Sequence, residues 1–280
     1  MPYPKRRAFL LDGGFRPAYD PFAASIVHAY EPARRVLSSY TGPLRRLRRA
    51  SDNAEAAFGY LANGDLDTAA IAAWAGGASY DVTVYDQKGG DNVTQATAAK
   101  QPLYVANARN GHAGMTFDGA NDWLGGAYTT GGALSQPFNI FAVAQLDATA
   151  VDDGLQRQIS DGDDVTNRAA LYQSPAVGAD NWAIYGGGAP LIFGTSDSIW
   201  SIWAVLFNGA SSQVWRNGTS MASGNAGALN PDGLAIGAQY DGLATWWKGP
   251  IVSLIIVDPS LTDAERVTMQ AAMNSYWGVF

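Results

Sequence analysis

Short apolar runs at close intervals, each bounded by glycine, asparagine or aspartate, dominate the chain from about residue 80 onward. Val82 and Val84 alternate with polar neighbours, the chain turns at Gly89-Gly90, and Met115-Thr116-Phe117 leads into Asp118-Gly119. Further strands are predicted over 138–146, 169–172, 182–185, 198–207, 212–216, 233–236 and 250–257. Asp153-Gly154, Asp161-Gly162, Gly186-Gly187-Gly188, Asn208-Gly209, Asn217-Gly218 and Pro231-Asp232-Gly233 punctuate them. Period-two runs between such turns predict an all-β, antiparallel jelly-roll sandwich with a few short helices. Helical spacing is confined to three places. Residues 28–40 place Ala33, Val36 and Leu37 on one face with Pro32 in a first turn. Residues 65–74 carry Asp65 or Asp67 as a cap and stop at Gly76-Gly77. A terminal helix follows Thr262, whose Glu265 three positions on completes a capping box. The run 44–49 fits neither period.

Composition adds order and an asymmetry. Nine Trp and thirteen Tyr belong to a packed protein, and the absence of Cys excludes disulfides and thiolate chemistry. No run reaches the roughly twenty apolar residues of a membrane span, and no early stretch has the length of a signal-peptide core. The net charge of -7 divides into +7 (10 − 3) for residues 1–50 and -14 (22 acidic against 8 basic) for the remainder. Residues 1–27, rich in proline yet carrying Phe9, Leu10, Leu11, Phe15, Tyr19 and Phe22, read as an arm that wraps its own domain or docks on a partner. The expected division is therefore an anchoring arm, 1–27, and a sandwich domain, 28–280. The acidic body argues against nucleic acid as a partner.

Three segments carry a family resemblance: residues 36–43, the run Arg48-Arg49-Ala50-Ser51-Asp52-Asn53, and Tyr85-Asp86-Gln87-Lys88-Gly89-Gly90 through Thr94-Gln95. They resemble the opening of the α-L-arabinofuranosidase B catalytic domain and its relatives in phage and bacterial surface proteins. The second half, from Phe117-Asp118-Gly119-Ala120-Asn121-Asp122 through Val214-Trp215-Arg216-Asn217-Gly218 to Lys248-Gly249-Pro250-Ile251, is similar to the concanavalin A-like, laminin-G-like superfamily. Active relatives use two carboxylates, a Glu nucleophile and an Asp acid. Here only Glu31, Glu55 and Glu265 occur, and the counterpart stretch from Trp182 to Gly188 holds no carboxylate.

Stacking of sugar rings on aromatic side chains, with amides and carboxylates orienting hydroxyls, nominates Asp180, Trp182, Tyr185, Gln239, Tyr240, Trp246 and Trp247 as carbohydrate contacts. The 118–122 turn reads as structural. Asp161, Asp163 and Asp164 are candidate ligands for a calcium ion, with a solvated acidic turn as the alternative. The expectation is a non-enzymatic, virion-associated protein: a phage fibre, spike or decoration protein, assembled in the host cytoplasm. It would be homo-oligomeric, joined to assembly subunits through its arm, and bind a bacterial surface glycan; a bacterial cell surface is the alternative location. Its rivals are a glycoside hydrolase of arabinofuranosidase type working with Asp carboxylates and a structural subunit without ligand.

Overall fold

The computed structural model describes residues 16–175 and 180–280. In chain order the strands are β1 (Ile26–Tyr30), β2 (Arg45–Arg49), β3 (Glu55–Phe58), β4 (Ser79–Val84), β5 (Val93–Thr94), β6 (Leu103–Arg109), β7 (His112–Asp118), β8 (Leu124–Ala127) and β9 (Phe138–Ala144). They continue with β10 (Arg157–Asp161), β11 (Ala170–Ser174), β12 (Asn181–Tyr185), β13 (Leu191–Thr195), β14 (Ser201–Phe207), β15 (Ser212–Arg216), β16 (Thr219–Gly224), β17 (Gly233–Ile236) and β18 (Lys248–Val257). Helices α1 (Thr68–Ala75) and α2 (Asp263–Trp277) complete the regular structure.

All pairings are antiparallel. One run of neighbours is β1-β18-β9-β14-β15-β16, with β7 and β6 continuing beside the start of β18. The other is β3-β2-β4-β5-β8-β17-β10-β11-β12-β13. Between them lies the main core. Phe138, Ile140, Trp203, Val205, Leu254 and Ile256 from the first face Ile159, Leu171, Trp182, Ile184, Leu234 and Ile236 from the second. The alternate residues Phe141, Val143, Ile202, Ala204, Ile255 and Val257 face the other way, under Met269, Met273 and Trp277 of α2. Alternation along each strand thus builds two cores from one sheet. Each fully buried large side chain contributes about 1.5–3 kcal/mol.

The expected all-β sandwich is present, and so are both later helices: Asp67 caps α1 and Thr262 with Glu265 forms the capping box of α2. The helix predicted over 28–40 is not formed. His28, Ala29 and Tyr30 pair with Ile256, Ile255 and Leu254 of β18, and residues 31–40 run irregularly beyond β1. Tertiary pairing overrides the local spacing there. The ambiguous 44–49 run contributes β2, whose Arg45 and Leu47 are fully buried.

The proposed arm boundary at residue 27 falls inside β1. Tyr19, Phe22 and Ile26 are buried against α2 and β18, so residues 16–27 belong to the domain's own packing. Residues 1–15, with the remaining basic and apolar positions of the arm, lie outside the described residues.

Candidate functional site

The stretch Tyr85-Asp86-Gln87 works as a staple. Gln87 donates to the carbonyls of Glu31 and Arg34, both at 2.8 Å, and accepts from Val36 N at 2.8 Å. Asp86 accepts from Ala29 N (2.8 Å) and bonds His28 Nδ1 (2.8 Å), while Lys88 N and Gly89 N cap it at 3.0 Å. These side chains satisfy backbone groups that an irregular segment would otherwise bury unpaired. The motif is therefore architectural, and the chemistry lies elsewhere.

A cleft of about 540 Å³ is lined by Arg48, Tyr80, Gln101, Leu103, Asp118 and Asp122 among others. Arg48 is held by three neutral acceptors, Gln101 Oε1 (2.7 Å), Asn53 Oδ1 (2.9 Å) and the Ala98 carbonyl (3.1 Å), with its guanidinium 4.9 Å from the Tyr80 ring. Asp118 ends β7 and folds the following turn: its Oδ1 accepts from the N–H groups of Ala120 (2.7 Å), Asn121 (3.1 Å) and Asp122 (3.4 Å). Asp122 Oδ2 in turn accepts from Asp118 N at 3.0 Å. The turn is structural, as its sequence suggests, and it also delivers a second carboxyl to the cleft. Burial and the charge of Asp118 push Asp122 up to about 7. Neighbouring loops lock the turn, since Arg157 donates from one nitrogen to the carbonyls of Gly119 and Trp246, each at 2.8 Å.

The sequence-nominated carbohydrate residues do not gather in one place. Trp182 and Trp247 are core side chains, 2% and 0% exposed, with Trp182 4.9 Å from Trp203 and 6.1 Å from Trp247. Neither ring has a face open to a sugar, which removes both as stacking platforms. Tyr185 and Tyr240 do come together. Each ring centroid lies 5.0 Å from the Arg168 guanidinium, which pairs with Asp161 at 2.6 Å. Gln239 is turned to Asp241 (2.9 Å), and half-buried Trp246 donates to the Gly242 carbonyl (3.1 Å). Asp180 sits apart at the start of β12, buried, its carboxyl pushed up by burial and by Asp152.

The metal trio is also rearranged. Asp161 is committed to Arg168, Gly162 N (2.9 Å), Gln158 (3.1 Å) and Tyr240 N (3.3 Å), so it has no oxygen to spare for an ion. In its place Asp232 joins Asp163 and Asp164, one oxygen of each lying within 4.8 Å of the others. Burial and the charge of Asp232 push Asp163 up to about 6. Arg48, Asp122, Arg168 and Asp232 were the residues missed. Asp122 and Asp232 stand in stretches legible as turns, and only the folded geometry shows what those turns face.

Residues 18–130 match the family model of the α-L-arabinofuranosidase B catalytic domain. All the cleft residues named above fall within that span. An α-L-arabinofuranosidase of Hypocrea jecorina is 40% identical over 72 residues, which is 25% of this chain and 14% of that protein. Among solved structures, an arabinofuranosidase complexed with arabinofuranosyl-alpha-1,2-xylobiose superposes with a TM-score of 0.72 at 17% identity, over 93% of this chain and 64% of its own. A GH54 arabinofuranosidase soaked with a cyclic sulfate inhibitor gives 0.70 at 16% identity over the same shares. A Trypanosoma rangeli sialidase in complex with 2,3-difluorosialic acid gives 0.51 at 12% identity, over 92% of this chain and 38% of its own. At these identities the superpositions establish the fold. The chain spans less than two thirds of the length of the proteins it matches.

The matched proteins are glycoside hydrolases. This overturns the expectation of a non-enzymatic phage fibre, spike or decoration protein, with its virion or cell-surface location and its assembly subunits as partners. The rival reading, a glycoside hydrolase of arabinofuranosidase type working with Asp carboxylates, is the one these matches favour, and of the two readings of the arm, residues 16–27 follow the one in which it packs on its own domain. Among the described residues no helix is long and apolar enough to cross a membrane.

Proposed function

We propose that the chain is a glycoside hydrolase of the arabinofuranosidase type, acting on arabinofuranosyl-bearing glycans in the Arg48–Asp122 cleft. One observation carries the reading: within the stretch that matches the arabinofuranosidase catalytic model, a carboxyl pushed up to about 7 lines a cleft beside a second carboxylate. Two carboxyl groups in unlike environments are what glycosidic cleavage requires, one to give a proton and one to meet positive charge. Asp122 is the acid. It protonates the oxygen of the leaving group as the bond from that oxygen to the anomeric carbon breaks; a water then adds to that carbon and returns a proton to the Asp122 carboxylate, restoring the acid. Asp118, whose Oδ1 is tied to the turn, presents its charge to the oxocarbenium-like centre. Arg48 and Gln101, fixed on each other at 2.7 Å, stand where sugar hydroxyls would be held. Tyr185, Tyr240 and Trp246 are the candidates to contact the rest of the glycan, having rings that are not enclosed in the core.

Release of 4-nitrophenol from 4-nitrophenyl α-L-arabinofuranoside tests the reading. Asp122→Asn, which keeps the shape and removes the acid, should lower kcat by about 10²–10⁴-fold. The basic limb of the wild-type pH profile, near 7, should disappear with it. Absence of hydrolysis by the wild-type protein on this substrate and on arabinose-bearing polysaccharides would refute the proposal.

A further inference from the structure

The 118–122 turn carries both carboxyls of the cleft, and residues 237–247, between β17 and β18, carry Tyr240 and Trp246. Far apart in sequence, the two loops are joined by the first residue of β10. Arg157 is 5% exposed, and its Nη1 donates to the carbonyls of Gly119 and Trp246 at once, each at 2.8 Å. Its Nη2 is fixed on Asp153 at 2.6 Å, so three acceptors set the place of the guanidinium. The next residue, Gln158, repeats the grip on the second loop. Its N–H donates to the Thr245 carbonyl (2.9 Å), and its Oε1 accepts from Thr245 Oγ1 (2.5 Å). The start of β10 therefore holds that loop at Thr245 and Trp246, and through Arg157 it also reaches the turn.

The turn is shaped to receive it. Gly119 has a φ of +79°, and a Cβ placed there would stand 2.9 Å from Arg157 Nη1 and 2.8 Å from Lys248 Cβ. Glycine lets the guanidinium approach a backbone carbonyl inside a left-handed turn. Within the turn, Asp118 Oδ1 collects the N–H groups of Ala120, Asn121 and Asp122, and Asp122 Oδ2 returns to Asp118 N. A release at Gly119 thus acts on a closed ring of bonds that has both carboxyls as members.

We propose that Arg157 is a positioning residue for the hydrolysis: through Gly119 and Trp246 it holds the Asp118–Asp122 pair and the Trp246 loop as one unit. This rests on the reading of Asp122 as the acid. The charged and titratable groups around Asp122 are Asp118 in the same turn, Arg48 of β2 and Tyr80 of β4 in the cleft lining, and Lys248 of β18 with Arg157 against Gly119. Replacing Arg157 has two effects on Asp122, and their signs are opposite. Loss of a positive charge raises the carboxyl further. Release of the turn admits water and parts Asp122 from Asp118, which lowers it. Lysine separates the two, because it keeps the charge but offers a compact ammonium where a planar fork bridges two carbonyls and a carboxylate.

NMR titration of the full chain with isotope-labelled aspartate carboxyls, the Asp122 signal being assigned by its loss in Asp122→Asn, reads this without substrate. In Arg157→Lys and Arg157→Gln the Asp122 midpoint should fall from about 7 toward the ordinary carboxylate range. Gly119→Ala, which crowds the guanidinium while leaving Arg157 in the chain, should lower it as well. On 4-nitrophenyl α-L-arabinofuranoside, Arg157→Lys should reduce kcat by about 10²-fold. Added to Asp122→Asn it should cost nothing more, because its effect passes through that carboxyl. A midpoint that stays near 7 or rises in these variants, or full multiplication of the two kcat losses in the double variant, would overturn the assignment. Absence of hydrolysis by the wild-type protein would instead refute the reading of the cleft, and the titration would still decide whether Arg157 holds the carboxyl pair.

Discussion

The region matched by the arabinofuranosidase model and the region after it are held together by different physics. From residue 18 to 130, buried polar groups make many of the joints. Arg45 forms a two-pronged pair with Asp81, both side chains fully enclosed, Arg48 feeds three acceptors, and Asp86 with Gln87 binds the 28–36 segment. From residue 138 onward the joints are mostly apolar: every residue of β9 is buried, and β14 and β18 pack Ile, Val, Leu, Phe and Trp on both faces. Polar joints depend on residue identity, because one lost partner leaves a buried charge or carbonyl exposed to nothing. Apolar joints tolerate exchange of one hydrophobe for another. A match to the arabinofuranosidase model over the first region, on a fold shared along 93% of the chain, is the outcome that contrast predicts.

The largest effects should come from the two cores, where the contrast is most exposed to test. Arg45→Ala should cost about 3–5 kcal/mol by stranding Asp81, whereas exchanging Arg45 and Asp81 together for well-packed apolar residues should return most of it. Ile140→Ala should cost about 2–5 kcal/mol through its cavity. Denaturant unfolding measures all three, and failure of the joint exchange to recover stability would erase the distinction. Gln87→Ala, which frees two carbonyls and one N–H of the 31–36 segment, should cost about 1–3 kcal/mol per group left buried and unpaired. Hydrogen exchange at Val36 should report it.

Acid–base behaviour separates the regions as well. Burial pushes Glu31 up to about 7 against the opposing charge of Arg34; Asp122 reaches about 7 and Asp163 about 6. Each carboxyl therefore holds its proton longer in the folded than in the unfolded chain. The stability these three groups provide is complete below about pH 4 and is lost as pH rises toward 7, so their contribution to Tm should fall across that window. Two of the three groups belong to the first region, and Glu31→Gln should flatten the slope. Smallest is Thr262→Ala at the cap of α2, about 1 kcal/mol in the same unfolding experiment.

Legibility followed the same division. The second region announced its strands because they alternate or run apolar between glycine turns, and α2 announced its start through Thr262 and Glu265. The first hid β1 and β2. Residues 28–40 carry a helical spacing that pairing with β18 overrides, and Arg45-Arg46-Leu47-Arg48-Arg49 shows no apolar period because two of its arginines are interior. The candidate site was harder still. Trp182 and Trp247 are as good a sugar platform as any Trp until their neighbours are known. Asp122 and Asp232 read as turn formers because turn formation is one of the things they do; the cleft and the cluster they face are built by residues far away in sequence.

In β1, His28 pairs with Ile256, and among the described residues β18 is the only strand whose ladder β1 joins. A growing chain that has emitted β1 must therefore hold an unpaired strand until about 230 later residues have followed it, a delay set by the span from His28 to Ile256. Until then Tyr19, Phe22 and Ile26 also lack the helix that covers them. Folding of the portion that carries the family likeness waits on β18, and the nascent protein spends that interval with a sticky, unpaired edge suited to chaperone binding.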